Sequence, residues 1–511
     1  MSLLRRYNLM SQTNSTELIR SQQNVAQFSN GVAKKLYKLV VISGLVLYIM
    51  YNLWPGFHCC YSFSVLTHLR PTVVGNLESS YSSGTGTNSA TSISHIVFGI
   101  ASTSNSWRNK RWFIESWWRP NVTRGFVFLD TFPVDLIPWP ASSPPFRISE
   151  NTSRYKDYDK HEMTHAIRLA RIIREIINEE DQNDEDVRWY VIADDDTVIF
   201  INNLVEVLSR YDYNKYFYVG MNSECHASNY FHSFEMAFGG AGYALSYPLA
   251  RALAKNLDVC IRRYPSLYGS DHIVQSCVAD LGVSLTQEKG FHQIDLHSDI
   301  SGLLSAHPQS PLVSLHHLKV VDPIFPSMTR NQSLNHLMKA ANADESRLLQ
   351  QTICYHKQNN WSFSISWGYS AQVYEAIYPP SILRLPLQTF RPWMFAKPFY
   401  ILNTRIPSTK DPCQIPHVFF FYSVETITDI IGRQHLIATT YTRRRPRFLP
   451  ACSSTGNHSA AHINMIRVLS PVLEMHDGVG RRRECCEVEY ESRSNTTKVQ
   501  IRACVEDEII P

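Results

Sequence analysis

Three consecutive aspartates follow an apolar run in the middle of the chain. The run Trp189–Ile192 is β-branched and aromatic, which predicts a buried strand, and Asp194, Asp195 and Asp196 come directly after it. Neighbouring carboxylates repel one another and are costly to desolvate unless a cation neutralises them. Because ligands bind at the carboxyl ends of strands in α/β folds, the triplet predicts a divalent metal site suited to Mg²⁺ or Mn²⁺. The alternative is a solvated acidic turn before a helix, where Asp is favoured anyway.

Two later segments carry further candidate groups. Gly239, Gly240 and Gly242 permit positive φ or a close approach to the backbone. Their spacing matches neither a dinucleotide fingerprint nor a P-loop, so a plain strand-to-helix turn is the alternative. Asp271 stands at the start of an apolar predicted helix, where it either caps that helix or faces a pocket as a general base.

Adjacent histidines, His316 and His317, end a strand-like run. Side chains alternate along a strand, so one imidazole is expected on each side, and one of them could complete a metal site with the aspartates. The chain has no CxxC pair, which argues against a structural zinc site.

Length and composition indicate a packed protein. The 511 residues allow about two or three domains, and the contents of 44% hydrophobic and 18% charged residues do not suit a disordered chain. The net charge is only +4, and the basic clusters at 443–445 and 481–483 accompany no nucleic-acid motif. We therefore predict no nucleic-acid partner.

The N-terminal part predicts a membrane anchor. Residues 1–35 are polar and basic and are interpreted as a cytosolic tail, and the apolar run 36–54 as a single-pass signal anchor of a type II membrane protein. A buried core helix is the alternative for this run. Residues 55–93 include a Ser/Thr/Gly-rich stretch that predicts a flexible stem.

Features downstream of residue 93 are consistent with a lumenal body. Glycosylation sequons occur at Asn121, Asn151, Asn331, Asn360, Asn457 and Asn495. Several of the eleven cysteines crowd into the last hundred or so residues, where disulfides are plausible in an oxidising compartment, with a pairing that the sequence leaves open.

Predicted strands and helices alternate after residue 94. Strand-like runs at 95–100, 125–129 and 216–219 are separated by helical patterns at 106–118 and 161–179. This alternation predicts a mostly parallel α/β sheet over residues 94–335. Residues 361–450 contain three tryptophans, many prolines and short strand-like runs, and the whole of 336–511 is interpreted as a β-rich accessory region.

Four motifs together resemble the Fringe-like β-1,3-glycosyltransferases of glycosyltransferase family 31, and most closely the plant and fungal Fringe-related subgroup of unknown function. They are WYVIADDDT at 189–197, FGGAGYALS at 238–246, GSD at 269–271 and VSLHHL at 313–318. The runs SWGYSAQVY at 366–374 and PLQTFRPW at 386–393 also resemble that subgroup's C-terminal extension. The resemblance implies a GT-A fold, a UDP-sugar donor and a Mn²⁺ (or Mg²⁺) ion.

The resemblance also implies roles for the acidic residues. Asp196 would hold the metal, and Asp194 and Asp195 would contact the nucleotide or orient the site. Asp271 matches the position of the family's catalytic base.

A histidine would complete the metal coordination. Fringe enzymes use an FHSH-like run, whereas the FHQI run here offers only His292. A related branch uses a VSFHY-like strand, which favours His316, with His317 and His292 as alternatives. The turn containing Gly239, Gly240 and Gly242 would let a donor or acceptor sugar approach the backbone.

These inferences predict an inverting, metal-dependent hexosyltransferase on the Golgi membrane with a lumenal catalytic domain. It would move a sugar from a UDP-sugar to a hydroxyl of a glycan or glycoprotein acceptor, in a β-1,3 linkage. The main alternative is an inactive sugar- or partner-binding protein on the same scaffold. A calcium-binding structural protein is disfavoured because the acidic run lacks EF-hand spacing.

Overall fold

The structure is a computed structural model that describes residues 42–45, 90–155, 165–180, 186–308, 310–393, 399–408, 411–428, 435–452, 458–472 and 483–509. The chain divides into two compact units, Met1–Gly86 and Thr87–Pro511. The first unit is described only at residues 42–45, so the account below concerns the second.

The prediction of a transmembrane helix over residues 36–54 is corrected. Crossing a bilayer requires about 20 predominantly apolar residues in one helix. Within the described ranges, no helix meets the requirements of length and apolarity. Residues 42–45 are described as helical, while the rest of that segment, the predicted tail at 1–35 and residues 55–89 of the predicted stem lie outside the described residues.

The α-helices of the second unit are α1 (Ser104–Glu115), α2 (Ala166–Ala170), α3 (Ile172–Glu180), α4 (Ile201–Ser209), α5 (His226–Phe231), α6 (Tyr247–Arg263), α7 (Ser270–Asp280), α8 (Ser301–Leu304), α9 (Arg330–Ala343) and α10 (Pro380–Leu383). The strands up to residue 315 are β1 (Ile96–Ala101), β2 (Arg124–Leu129), β3 (Phe146–Ile148), β4 (Trp189–Asp194), β5 (Val198–Ile199), β6 (Tyr218–Gly220), β7 (Tyr243–Ser246), β8 (Leu285–Gln287), β9 (Phe291–His292), β10 (Leu296–Ser298) and β11 (Ser314–Leu315). The later strands are β12 (Gln351–His356), β13 (Trp361–Ser366), β14 (Ser370–Tyr374), β15 (Phe390–Pro392), β16 (His417–Thr428), β17 (His435–Arg443), β18 (Met465–Pro471), β19 (Cys485–Glu491) and β20 (Thr496–Arg502).

A seven-stranded sheet forms the N-terminal part of the unit, in the order β3-β2-β1-β4-β7-β6-β8. The pairs β1–β2, β2–β3, β1–β4 and β6–β8 are parallel, whereas β7 runs antiparallel to β4 and β6. The alternating pattern predicted an α/β fold with a mostly parallel sheet; the structure has an α/β fold in which four of the six strand pairs are parallel and two are antiparallel. Strand β4, which ends at Asp194 and is followed directly by the other two aspartates, lies at the centre of this sheet.

Both faces of the sheet are covered, which explains why its central strands are continuously apolar. One face packs on the apolar sides of α2, α3, α6 and α7. The other face shares a core with α1 and α4 and continues into the C-terminal part of the chain. Strand β4 is buried at every position except its last residue, Asp194.

A small three-stranded sheet, β5-β11-β9, stands next to the aspartates. Strand β11 pairs antiparallel with β5, so Leu315 lies opposite Val198, and pairs parallel with β9, so Leu315 also lies opposite His292. Since β5 begins two residues after Asp196, this pairing brings the histidine run close to the acidic triplet.

The C-terminal part forms an eight-stranded sheet in the order β12-β13-β14-β16-β17-β18-β20-β19. A disulfide between Cys354 and Cys486 joins its two edge strands. Strand β15 leaves this region and pairs with β10, beside the N-terminal sheet. The boundary predicted between residues 335 and 336 falls within α9, inside the second compact unit, and stays a prediction.

Four disulfides link the described cysteines. They are Cys260–Cys277, between α6 and α7, and Cys354–Cys486, Cys413–Cys452 and Cys485–Cys504 in the C-terminal part. Among the described residues, Cys225 is free and buried. Such a density of disulfides is typical of proteins that fold in an oxidising compartment.

A buried carboxylate organises one end of the C-terminal sheet. Glu375 accepts hydrogen bonds from Arg447 (3.0 Å), from Ser459 (2.9 Å) and from the backbone of Cys452 (2.6 Å), and it pairs with His417 at 2.9 Å. Desolvation by itself would raise the pKa of Glu375, but these partners outweigh it and lower the pKa below its ordinary value.

We expect Glu375→Gln to destabilise the protein by about 3 kcal/mol or more, because the buried guanidinium of Arg447 loses its counter-charge. Urea denaturation monitored by fluorescence measures the loss. The matched control is Glu425→Gln, because Glu425 forms a surface pair with Arg467 in the same sheet and exposed pairs are worth about 0–1 kcal/mol.

The lowered pKa of Glu375 also predicts how the stability difference between wild type and Glu375→Gln depends on pH. Because the folded-state pKa of Glu375 is lowered, its contribution is present above the pKa of the unfolded chain, near 4.5, and is lost as the pH falls below it. The stability difference between wild type and Glu375→Gln should shrink in acid. A difference that is constant from pH 7 to pH 3 would contradict this assignment.

Candidate functional site

The three aspartates of the predicted site lie in different environments at the end of β4. The Asp194 side chain is 40% exposed, whereas those of Asp195 and Asp196 are 5% and 2% exposed. Only Asp194 is therefore open to solvent, and the charges of the other two must be balanced by protein groups.

Thr197 fixes the turn that carries these carboxylates. Its hydroxyl accepts a hydrogen bond from the Asp194 backbone at 3.0 Å and donates one to the Gly240 carbonyl at 2.7 Å. The Trp117 indole donates to the Thr197 carbonyl at 2.9 Å. The acidic turn and the glycine turn are thereby held together.

Asp195 is directed into the protein. Its carboxylate accepts hydrogen bonds from the Ser102 hydroxyl at 2.6 Å and from the Lys110 ammonium at 2.7 Å. With both oxygens engaged, Asp195 suits the orienting role named for it above, because it anchors Lys110 within the site.

Asp196 is surrounded by cationic groups. Lys110 Nζ and His316 Nε2 lie 3.3 Å and 3.4 Å from its Oδ1, and Lys319 Nζ lies 2.9 Å from its Oδ2. Desolvation would raise the pKa of Asp196, but His316 and the two lysines outweigh it and hold the pKa well below its usual range. Asp196 is therefore an ionised carboxylate that is almost completely buried.

His316 completes a set of potential metal ligands with Asp194 and Asp196. One donor atom from each of these residues lies within 4.8 Å of the other two. Burial acts to lower the pKa of His316, yet the two carboxylates outweigh it and raise the pKa. Two carboxylates and an imidazole form a chemically suitable donor set for a divalent ion such as Mn²⁺.

The two alternative histidines have other partners. His292 contacts Glu224 through Nδ1 and His307 through Nε2, each at 2.9 Å. His317 lies 3.4 Å from Asp295. Of the three candidate histidines, the structure thus places His316 with the acidic triplet.

The expectation that the imidazoles of His316 and His317 point to opposite sides is wrong. Strand β11 ends at Leu315, and His317 adopts a positive φ of 53°, so the alternation of a strand does not continue. The two rings lie 3.9 Å apart.

The glycine turn provides room for two functional side chains. A Cβ atom at Gly239 would lie 2.5 Å from an Asp271 carboxylate oxygen, and one at Gly240 would lie 2.1 Å from the His316 ring. The missing Cβ atoms of Gly239 and Gly240 therefore leave space for Asp271 and His316, and the approach of a sugar to this turn stays a prediction. Gly242 has a φ of +82°, which favours glycine for a different reason.

Asp271 lies in the first turn of α7, whose N-cap is Gly269. It accepts hydrogen bonds from the Gly239 backbone and from the Ser270 hydroxyl, the latter at 3.1 Å. Desolvation outweighs these bonds and raises the pKa of Asp271. A carboxylate with a raised pKa is suited to accept a proton near neutral pH.

The glycine turn places Asp271 close to the acidic triplet, because Asp271 lies against Gly239 while His316, which contacts Asp196, lies against Gly240. Desolvation, followed by the charges of Asp271, Asp196 and Asp195, raises the pKa of Asp194, and His316 opposes this rise. Solvent at the open side of Asp194 screens part of the repulsion. The predicted base and the predicted metal ligands are therefore within electrostatic reach of one another.

The sequence analysis missed both lysines of the site. Lys319 lies three residues after His316 and could have been included with that motif. Lys110 lies on α1, far from every motif, and its sequence context gives no sign that it reaches Asp195.

A comparison with protein-family models identifies the family. Residues 228–486, slightly more than half of the chain, match the model described as protein of unknown function, DUF604. The chain belongs to the DUF604 family. The DUF604 match includes the glycine turn, Asp271, His316 and Lys319 but begins after the acidic triplet. No curated protein matches the chain.

We expect Asp196→Asn to weaken Mn²⁺-dependent binding of UDP by about 100-fold or more, because one of the three candidate ligands loses its charge. Isothermal titration calorimetry with Mn²⁺ and UDP measures this change. The control is Asp212→Asn, which alters an exposed carboxylate paired with Lys215. Unchanged titrations for the Asp196 variant would disprove the metal site.

Proposed function

We propose that this DUF604 protein is an inverting, metal-dependent glycosyltransferase that moves a sugar from a UDP-sugar to an acceptor hydroxyl. One observation carries the proposal: Asp271, a carboxylate with a raised pKa, and His316 lie against the adjacent glycines 239 and 240 of one turn. His316 in turn completes a set of potential metal ligands with Asp194 and Asp196. Sugar transfer from a nucleotide donor needs both features, one at the leaving diphosphate and one at the attacking hydroxyl.

Three residues would hold the divalent ion. Asp194 and Asp196 provide carboxylate oxygens and His316 provides Nε2, while Lys110 stays anchored on Asp195. A bound Mn²⁺ or Mg²⁺ would supply Lewis-acid stabilisation of the charge that develops on the departing diphosphate.

Asp271 would act as the general base. The Gly239 backbone and Ser270 fix its carboxylate, while desolvation raises its affinity for a proton. It would remove the proton of the acceptor hydroxyl as that oxygen attacks the anomeric carbon of the donor. A single base with in-line displacement inverts the anomeric configuration, so an α-linked donor would give a β-linked product.

The family assignment supports a finer proposal. The four motifs resemble those of Fringe-like glycosyltransferases, and the DUF604 match includes three of them. A Fringe-like enzyme would form a β-1,3 linkage on a glycan or glycoprotein acceptor in the Golgi. The four disulfides and the exposed sequons at Asn121, Asn151, Asn331 and Asn360 suit an oxidising, glycosylating compartment.

We expect Asp271→Asn to lower transfer between about 10²- and 10⁴-fold, because the acceptor hydroxyl loses its base. Binding of UDP in the presence of Mn²⁺ should stay within about twofold, since Asp271 is not among the proposed ligands. The assay is UDP release across a panel of UDP-sugars and glycan acceptors, with Mn²⁺ and with a chelator.

The control for this prediction is Asp280→Asn, at the other end of α7, where Asp280 pairs with Arg263. Normal turnover by the Asp271 variant would remove the assignment of the base. Tight Mn²⁺-dependent UDP binding by wild type, without release for any donor, would instead favour a sugar- or partner-binding protein.

A further inference from the structure

Lys319 places an ammonium group directly on a proposed metal ligand. Its Nζ lies 2.9 Å from Asp196 Oδ2, and its side chain is 39% exposed. The segment that carries it turns just after the histidine run, where the Val320 backbone donates to the His317 carbonyl at 2.9 Å. Lys319 therefore reaches Asp196 from the solvent side, on a chain segment fixed next to His316.

The two lysines around Asp196 are held differently. Lys110 is 25% exposed and also forms a 2.7 Å hydrogen bond with Asp195. Among the described residues, Lys319 pairs with one carboxylate, that of Asp196. Lys319 Nζ lies 2.9 Å from Asp196 Oδ2, but this contact does not have the geometry of a hydrogen bond. Lys110 is thus anchored by a second carboxylate, whereas Lys319 is the more easily displaced of the two cations.

Lys319 and a divalent ion would compete for the same carboxylate. A metal ion held by Asp194, Asp196 and His316 would share the Asp196 carboxylate with the Lys319 ammonium, and two cations on one carboxylate repel each other strongly. The lysine side chain is a flexible four-carbon arm that binds phosphate as a point charge. If the ion displaces Lys319 from Asp196, the Lys319 ammonium stays close to the bound ion. A diphosphate bound to that ion would give the ammonium a new anionic partner.

We propose that Lys319 is an exchangeable cation, which neutralises Asp196 in the absence of the metal and contacts the donor diphosphate when the metal is bound. This inference rests on the proposed function, since it requires a divalent ion and a nucleoside diphosphate at this site. It assigns one residue two opposite effects: Lys319 weakens binding of the metal alone and strengthens binding of the nucleotide.

The test is a pair of calorimetric titrations on the full chain carrying Lys319→Met. Mn²⁺ alone should bind about tenfold more tightly than to wild type, because its competitor is gone. UDP at saturating Mn²⁺ should bind about tenfold more weakly, the change expected for the loss of one charged contact. Lys319→Arg should restore UDP binding in part, and Lys289→Met provides an exposed control.

Each outcome of these titrations decides the proposal. Opposite shifts for Mn²⁺ and UDP support it. If Mn²⁺ and UDP both bind more weakly, Lys319 only neutralises Asp196, and if neither titration changes, Lys319 has no role. Tighter binding of Mn²⁺ with unchanged binding of UDP would remove the diphosphate contact. Each of these three results overturns the proposal. Thermal unfolding without metal identifies variants that fail to fold. Lys319→Gln is a second variant for the same titrations. Failure of wild type to bind Mn²⁺ and UDP would instead disprove the proposed function itself.

Discussion

The concentration of negative charge at the end of β4 is the constraint on which the site depends. Asp195 and Asp196 are almost fully removed from water, and buried carboxylates remain ionised only when nearby groups balance them. Lys110 forms ion pairs with both carboxylates, while Lys319 and His316 pair with Asp196. The protein thus keeps an anionic cluster at the end of its central strand by surrounding it with cations from two separate segments, the helix of Lys110 and the segment that carries His316 and Lys319.

Steric constraints align the rest of the site with that cluster. The missing side chains of Gly239 and Gly240 leave space for the Asp271 carboxylate and the His316 imidazole, and any larger residue would displace one of them. The Thr197 hydroxyl connects this turn to the aspartates. A change at either glycine would therefore disturb a proposed base or a proposed ligand without altering any charged residue.

The C-terminal region contributes directly to the surroundings of the site. Trp393, which follows β15, is stacked between His317 at 4.6 Å and His297 at 4.8 Å, and His317 in turn contacts His316. The β10–β15 pairing holds this tryptophan in place. The DUF604 match extends over both regions.

The sequence by itself determined the local features: a buried strand that ends in three aspartates, a glycine turn, a carboxylate in the first turn of a helix and a histidine run. These follow from side-chain periodicity and from the chemistry of short segments. The apolar run at 36–54 shows the limit of such reasoning, because apolarity alone did not establish a membrane-spanning helix.

Only the tertiary structure decided which of these groups meet. The pairing of β11 with β5 selected His316, while Glu224 and Asp295 engaged His292 and His317. The lysines that neutralise the aspartates and the partners of the disulfide cysteines also come from segments distant in sequence. Such contacts depend on how strands and helices from distant parts of the chain pack together, and this packing cannot be predicted from a local pattern of residues.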